Sequence, residues 1–179
     1  MGSWSDWDIT NAQLTTSTYH SSPSSLQMPP ASSAILKENV INDNLAEGQV
    51  VFWANIHGNQ PHHELDFIFR SQGGDINQSF RVLIRNDSYY KYIQIHRGGT
   101  FLLSKTYDIG EGWQKFRITW WVSENHLIIR VEHYKNGDWY NVIEYSTTNI
   151  WANGGLVGFY NRDGNSGTVY VDDFSLYIP

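Results

Sequence analysis

Gly112-Trp113-Gln114-Lys115-Phe116-Arg117-Ile118 begins the stretch that decides the fold. The chain runs on to Val122, resumes over His126 to Tyr134, turns at Lys135-Asn136-Gly137-Asp138 and continues from Trp139 to Tyr145. Apolar and polar residues alternate through it, which is the period of a half-buried strand and not of a helix. Asn136-Gly137 supplies two central residues that accept positive φ, as a type I′ hairpin turn requires. The spacing predicts three strands, the last two closed as a hairpin.

The same pattern extends in both directions. Strands are predicted over Gln49 to His57, Glu64 to Arg70, Phe80 to Arg85, Tyr89 to His96, Thr100 to Tyr107, Leu156 to Asn161 and Thr168 to Tyr177. Shorter edge strands are expected around Trp4 to Thr10, Leu14 to Thr18 and Ser24 to Met28, and the one helix candidate is Ala31 to Val40. Arg97-Gly98-Gly99, Asn86-Asp87-Ser88, Asn153-Gly154-Gly155 and Asp163-Gly164-Asn165 punctuate the strands as turns. About a dozen short strands at roughly 8–12-residue spacing indicate an all-β, two-sheet antiparallel sandwich or jelly roll. One domain over 4–179 is expected, with Met1-Gly2-Ser3 read as an appended start and not as a signal peptide.

Composition narrows the function. The 179 residues include 8 Trp, 11 Tyr and 8 Phe, enough to fill a core between two sheets. The formal net charge is −6, and no basic run is present, which argues against a nucleic-acid partner. There is no cysteine, hence no disulfide and no thiolate metal site. No apolar run approaches the roughly 18 residues of a membrane span, so no membrane insertion is expected.

Alternation sorts the strand faces. Val50, Phe52, Ala54 and Ile56 oppose Val51, Trp53, Asn55 and His57. Leu65, Phe67 and Phe69 oppose Glu64, Asp66, Ile68 and Arg70, and Phe80, Val82 and Ile84 oppose Arg81, Leu83 and Arg85. Tyr90, Tyr92, Gln94 and His96 share a side. If these four strands are neighbours, one face carries Trp53, Asn55, His57, Glu64, Asp66, Arg70, Arg81, Arg85, Tyr90, Tyr92, Gln94 and His96. Rings that stack on sugar C–H faces, interleaved with planar polar groups that bind paired hydroxyls, make a glycan-binding surface. The plainer alternative is a solvated outer face of an antiparallel sheet.

The second half carries an ordered set of motifs: Gly112-Trp113 to Ile118, then Gly154-Gly155-Leu156-Val157-Gly158-Phe159, then Val169-Tyr170-Val171-Asp172-Asp173-Phe174-Ser175-Leu176. Together they resemble the concanavalin A-like (laminin G-like) jelly roll over about Gln49 to Tyr177. That resemblance implies two packed, curved sheets, and a superfamily of lectins, carbohydrate-binding modules, glycoside hydrolases and polysaccharide lyases. Ser22-Pro23-Ser24-Ser25-Leu26 and the closing strand also resemble galactose-binding-like modules, a competing sandwich.

Two enzyme families are resembled in part. His63-Glu64-Leu65-Asp66-Phe67-Ile68-Phe69 is similar to the catalytic strand of family-16 glycoside hydrolases, which implies Glu64 as nucleophile and Asp66 as helper. The second essential carboxylate falls on Ile68 or Phe69, and a retaining mechanism needs that partner about 5–5.5 Å away. Tyr92-Ile93-Gln94-Ile95-His96 resembles the Q-I-H strand of family-7 alginate lyases, which implies His96 as base, Gln94 as carboxylate neutraliser and Arg81 as added positive charge. The Tyr and Lys of that family's late strand fall on Gly154 and Leu156. The jelly-roll resemblance further implies a structural calcium at Asp172.

The expected function is a non-catalytic carbohydrate-binding module for a polysaccharide, extracellular or at the cell surface and covalently linked to other domains of a larger protein. The alternatives are a lyase of acidic glycans acting through His96, and a structural or adhesion domain using Trp4, Trp7, Trp139 or Trp151 for protein contacts.

Overall fold

The computed structural model describes residues 4–21, 24–37, 45–56, 62–148, 150, 154–162 and 167–179. Side chains that alternate between core and surface force extended backbone. The described residues hold β1 (Trp7–Thr10), β2 (Gln13–Thr15), β3 (Ser25–Met28), β4 (Ser32–Leu36), β5 (Gly48–Asn55), β6 (Glu64–Ser71) and β7 (Phe80–Asn86). They continue with β8 (Lys91–Arg97), β9 (Thr100–Thr106), β10 (Trp113–Ser123), β11 (His126–Lys135), β12 (Asp138–Thr147), β13 (Leu156–Asn161) and β14 (Val169–Tyr177). Sheet I runs β1-β4-β13-β6-β7-β8-β9 and sheet II runs β12-β11-β10-β5-β14-β3-β2, each antiparallel. This is the two-sheet concanavalin A-like sandwich.

The core lies between the sheets. Phe52 of β5 meets Phe67 of β6 and Phe159 of β13 at ring-centroid distances of 6.1 and 5.1 Å. Trp120 packs on Phe69 at 4.9 Å, while its neighbour Trp121 turns outward beneath Arg130. Period two thus resolves the adjacent tryptophans, one to each side of β10. Trp7 is also core, packed against Phe159 and Phe174, so it offers nothing to a partner protein. At the β11–β12 turn, Asn136 and Gly137 both have positive φ (56° and 88°), as expected of type I′.

Two expectations are corrected. The helix candidate Ala31 to Val40 contains β4 instead, because Ala34 and Leu36 alternate into the core and the segment pairs with both β1 and β13; positions 38–40 lie outside the described residues. The strand carrying Trp53 does not adjoin the strand carrying Asp66. β5 lies in sheet II between β10 and β14, whereas β6, β7 and β8 are consecutive in sheet I.

Candidate functional site

The outward face of sheet I gathers seven of the predicted residues. Register places Glu64 opposite Arg85 and Arg85 opposite Tyr92, with Arg81 opposite His96 and Leu83 between Asp66 and Gln94. Tyr90 joins them from the β7–β8 turn. Trp53 and Asn55 lie on the other side of the molecule, on the outward face of sheet II. His57 lies outside the described residues.

The outward side of β6 and β7 is unusual. Every residue of both strands is buried, on the face away from the core as well as toward it. Asp66 is 0% exposed, Arg81 3% and Glu64 4%. Charged groups withdrawn from water must be paired. Arg81 Nη1 donates to both oxygens of Asp66 at 3.4 Å, and its Nη2 donates to His96 Nδ1 at 3.3 Å. Since a guanidinium only donates, His96 Nδ1 accepts, and its Nε2–H is left to donate to Gln94 Oε1 at 3.0 Å. Arg162, half exposed, brings Nε to 4.0 Å from Asp66. Burial pushes the Asp66 carboxyl up to about 6, against the attraction of Arg81 and Arg162. Burial, then the same two guanidinium groups, push His96 down to about 4.

Beside this set stands a ring platform. Arg85 lies 4.6 Å from the Tyr90 ring and 5.8 Å from Tyr92, and its Nη1 donates to the Tyr92 hydroxyl at 3.3 Å. Asp87 holds it together: it accepts from Arg85 Nε at 2.5 Å, from the Tyr89 and Tyr90 amides at 2.8 Å each, and from the His62 amide at 3.1 Å. The sequence marked Asn86-Asp87-Ser88 only as a turn; an Asp that accepts backbone amides two and three residues on is its ordinary chemistry. Phe101, 54% exposed, flanks His96 at 5.7 Å.

The other predicted residues have different work. Arg70 has φ 52°, which breaks the alternation of β6, and its Nη1 donates to the Ala46 carbonyl at 2.6 Å. Trp53 is stacked under the His20 imidazole at 3.6 Å and 17°, with Lys115 5.6 Å from its ring. His20 thus covers one face of this ring, and Trp53 stands on the opposite sheet from the Asp66–Arg81–His96 set. Asp172 does not fit a cation ligand: its Oδ2 accepts from the His20 and Ser21 amides at 2.9 and 3.4 Å, and its Oδ1 from the Asp173 amide at 2.8 Å. Amide donors converging on the carboxylate cap the turn at 18–21, and they are the wrong polarity for the shell of oxygens that calcium takes. Among the described residues no cluster of three His, Asp or Glu is placed to hold a metal.

The enzyme resemblances weaken on the same geometry. The Ile68 position is apolar, fully buried and opposite Arg81, so no second carboxylate stands at that register. His96 has its lone pair engaged by Arg81, which makes it a poor base.

No protein-family model matches the chain, and a search of curated proteins finds no relative. Solved structures do match. The exoplasmic/lumenal domain of VIP36 with Ca2+ and Man3GlcNAc bound is 12% identical with a TM-score of 0.66, over 97% of this chain and 84% of that one. Winged bean acidic lectin in complex with methyl-α-D-galactose is 12% identical with a TM-score of 0.66, over 96% and 91%. Lectin I-B4 from Griffonia simplicifolia, in a metal-free form, is 15% identical with a TM-score of 0.67, over 97% and 94%. The chain therefore has the concanavalin A-like lectin fold.

Proposed function

We propose that this is a carbohydrate-binding, lectin-like domain that holds its sugar on the outward face of sheet I. One observation carries the reading: a buried, mutually hydrogen-bonded set of Asp66, Arg81, His96 and Gln94 sits on the sheet face that has no core to stabilise. Such a set is costly for folding alone and is held rigid in advance, which is what recognition of hydroxyl pairs needs. Gln94 keeps an amide NH2 without a protein partner among the described residues, a donor for a sugar oxygen. Tyr90, Tyr92 and Phe101 provide ring faces beside it. The sugars and Ca2+ bound in the structural neighbours add support for a glycan ligand. No helix among the described residues is long and apolar enough to cross a membrane; we place the domain outside the cell or at its surface, joined to other domains of a longer protein. Any calcium requirement would be met away from Asp172.

The test is retention on neutral and acidic polysaccharide gels and a glycan array, with and without EDTA, while the unsaturated-uronate chromophore is followed. Retention without a new chromophore is the expected result, and Gln94→Ala should weaken it. A growing chromophore would instead establish a lyase. Absence of retention on every glycan would leave a structural or adhesion domain.

A further inference from the structure

The outward face of sheet I does not end at the polar set. Across β13 and β4 it opens into a depression of about 540 Å³ lined by the polar Asp8, Thr10, Ser33, Lys37 and Tyr160 and by the apolar Ile35 and Leu156. Register makes the two regions one surface: Tyr160 pairs with Asp66, Ser33 with Tyr160, and Thr10 with Ser33. Tyr160 is fixed by its hydroxyl, which donates to the Gly74 carbonyl at 2.6 Å. Beyond it the lining mixes hydroxyls and one charge of each sign with the apolar Ile35 and Leu156, a chemistry that suits the hydroxyl edge and the C–H face of a sugar ring.

Distance and charge then specify the ligand. From β1 to β8 there are five strand steps, which at about 4.8 Å each put roughly 24 Å between Thr10, at the outer edge of the depression, and Gln94, with Tyr160 at its inner edge three steps away. That is the length of several sugar rings in a row and exceeds a disaccharide. The three guanidinium groups on the face meet three carboxylates: Arg81 and Arg162 share Asp66 at 3.4 and 4.0 Å, Arg85 has Asp87 at 2.5 Å, and Glu64 stands opposite Arg85 in register. No surplus positive charge awaits a uronate.

We infer that the ligand is an uncharged glycan chain lying across the strands of sheet I, from the Gln94–His96 set to a second subsite in the Asp8–Lys37 depression. This rests on the function proposed above and extends it to the class of glycan and to a site at the far edge of the sheet. The terminal sugar alone would fill only one end.

Isothermal titration with neutral gluco- and manno-oligosaccharides, from disaccharide to hexasaccharide, tests it on the intact chain. Affinity should rise by about tenfold or more along the series. Thr10→Trp, on an exposed position of edge strand β1, should fill the depression and remove that rise while leaving disaccharide affinity unchanged; Asp8→Trp is a second filler from the same strand. Gln94→Ala should weaken every length. Equal affinity for disaccharide and hexasaccharide, or a rise that survives both fillers, overturns the second subsite but not the glycan site. Tighter binding of polyuronates than of neutral chains overturns the charge assignment. No binding at any length overturns the glycan site and the extension with it.

Discussion

Asp66→Asn should flatten the acid side of the stability profile. Asp66 is fully buried, and its carboxyl is raised from 3.8 to about 6, first by desolvation. A carboxyl whose folded pKa lies above its unfolded value holds its proton more tightly when folded. Its ionised form therefore opposes folding above about pH 6, and that penalty is relieved as pH falls from about 6 toward 3.8. The displacement corresponds to on the order of 3 kcal/mol. Removing the charge also leaves Arg81 without its carboxylate partner, which shifts the variant's stability as a whole but not its slope with pH. The readout is therefore the difference between the two proteins. Urea unfolding at several pH values between about 7.5 and 4 should show the wild type gaining most of that 3 kcal/mol relative to Asp66→Asn as pH falls. Parallel profiles, or a wild type that loses ground on acidification, would refute the claim that desolvation outweighs the Arg81 and Arg162 attraction at this carboxylate.

Trp53→Ala should cost about 2 kcal/mol of stability through loss of the His20 stack and of part-buried area, and so lower the melting temperature, and should leave glycan retention intact; lost retention with unchanged melting would restore Trp53 as a sugar platform. Asp87→Ala strips an acceptor from Arg85 and three backbone amides, so urea unfolding should register a loss of about 3 kcal/mol or more, with weakened glycan binding because the Tyr89–Tyr90 turn loosens. Asp172→Ala should lower the melting temperature by the same amount with and without EDTA, since the carboxylate serves amides; an effect confined to EDTA-free samples would return calcium to that site.

Much of this was legible in the sequence, and the remainder failed for identifiable reasons. Period two assigns a side chain to one face of its own strand, and it did so correctly for Glu64, Asp66, Arg81, Arg85, Tyr92, Gln94 and His96, whose strands are consecutive in sheet I. It carries no information on which strand lies next door. β5 pairs with β10 and β14, both far along the chain, so Trp53 and Asn55 joined a different sheet although their strand directly precedes β6 in sequence. Arg70 was lost to a backbone feature, a positive φ at a residue type that rarely adopts one, with nothing nearby to announce it. His20 over Trp53 and the turn over Asp172 bring the β2–β3 connection onto β5 and β14, contacts between segments far apart in sequence that are visible only after folding.

The burial of β6 and β7 on both faces has a sharper consequence. By pattern alone a strand with charged residues on one side should be wet on that side, yet Glu64, Asp66, Arg81 and Arg85 are nearly as dry as the core. Folding gains little from such a set, because withdrawing the charges opposes the attraction between them. The outward face of sheet II shows the usual alternative: Arg130–Glu144 and Arg117–Glu132 pair there with part of their surface in water. The same chain thus builds one ordinary sheet surface and one desolvated, hydrogen-bonded surface. The second carries rings at one end and a depression at the other, and it is the surface to which we assign the proposed glycan site.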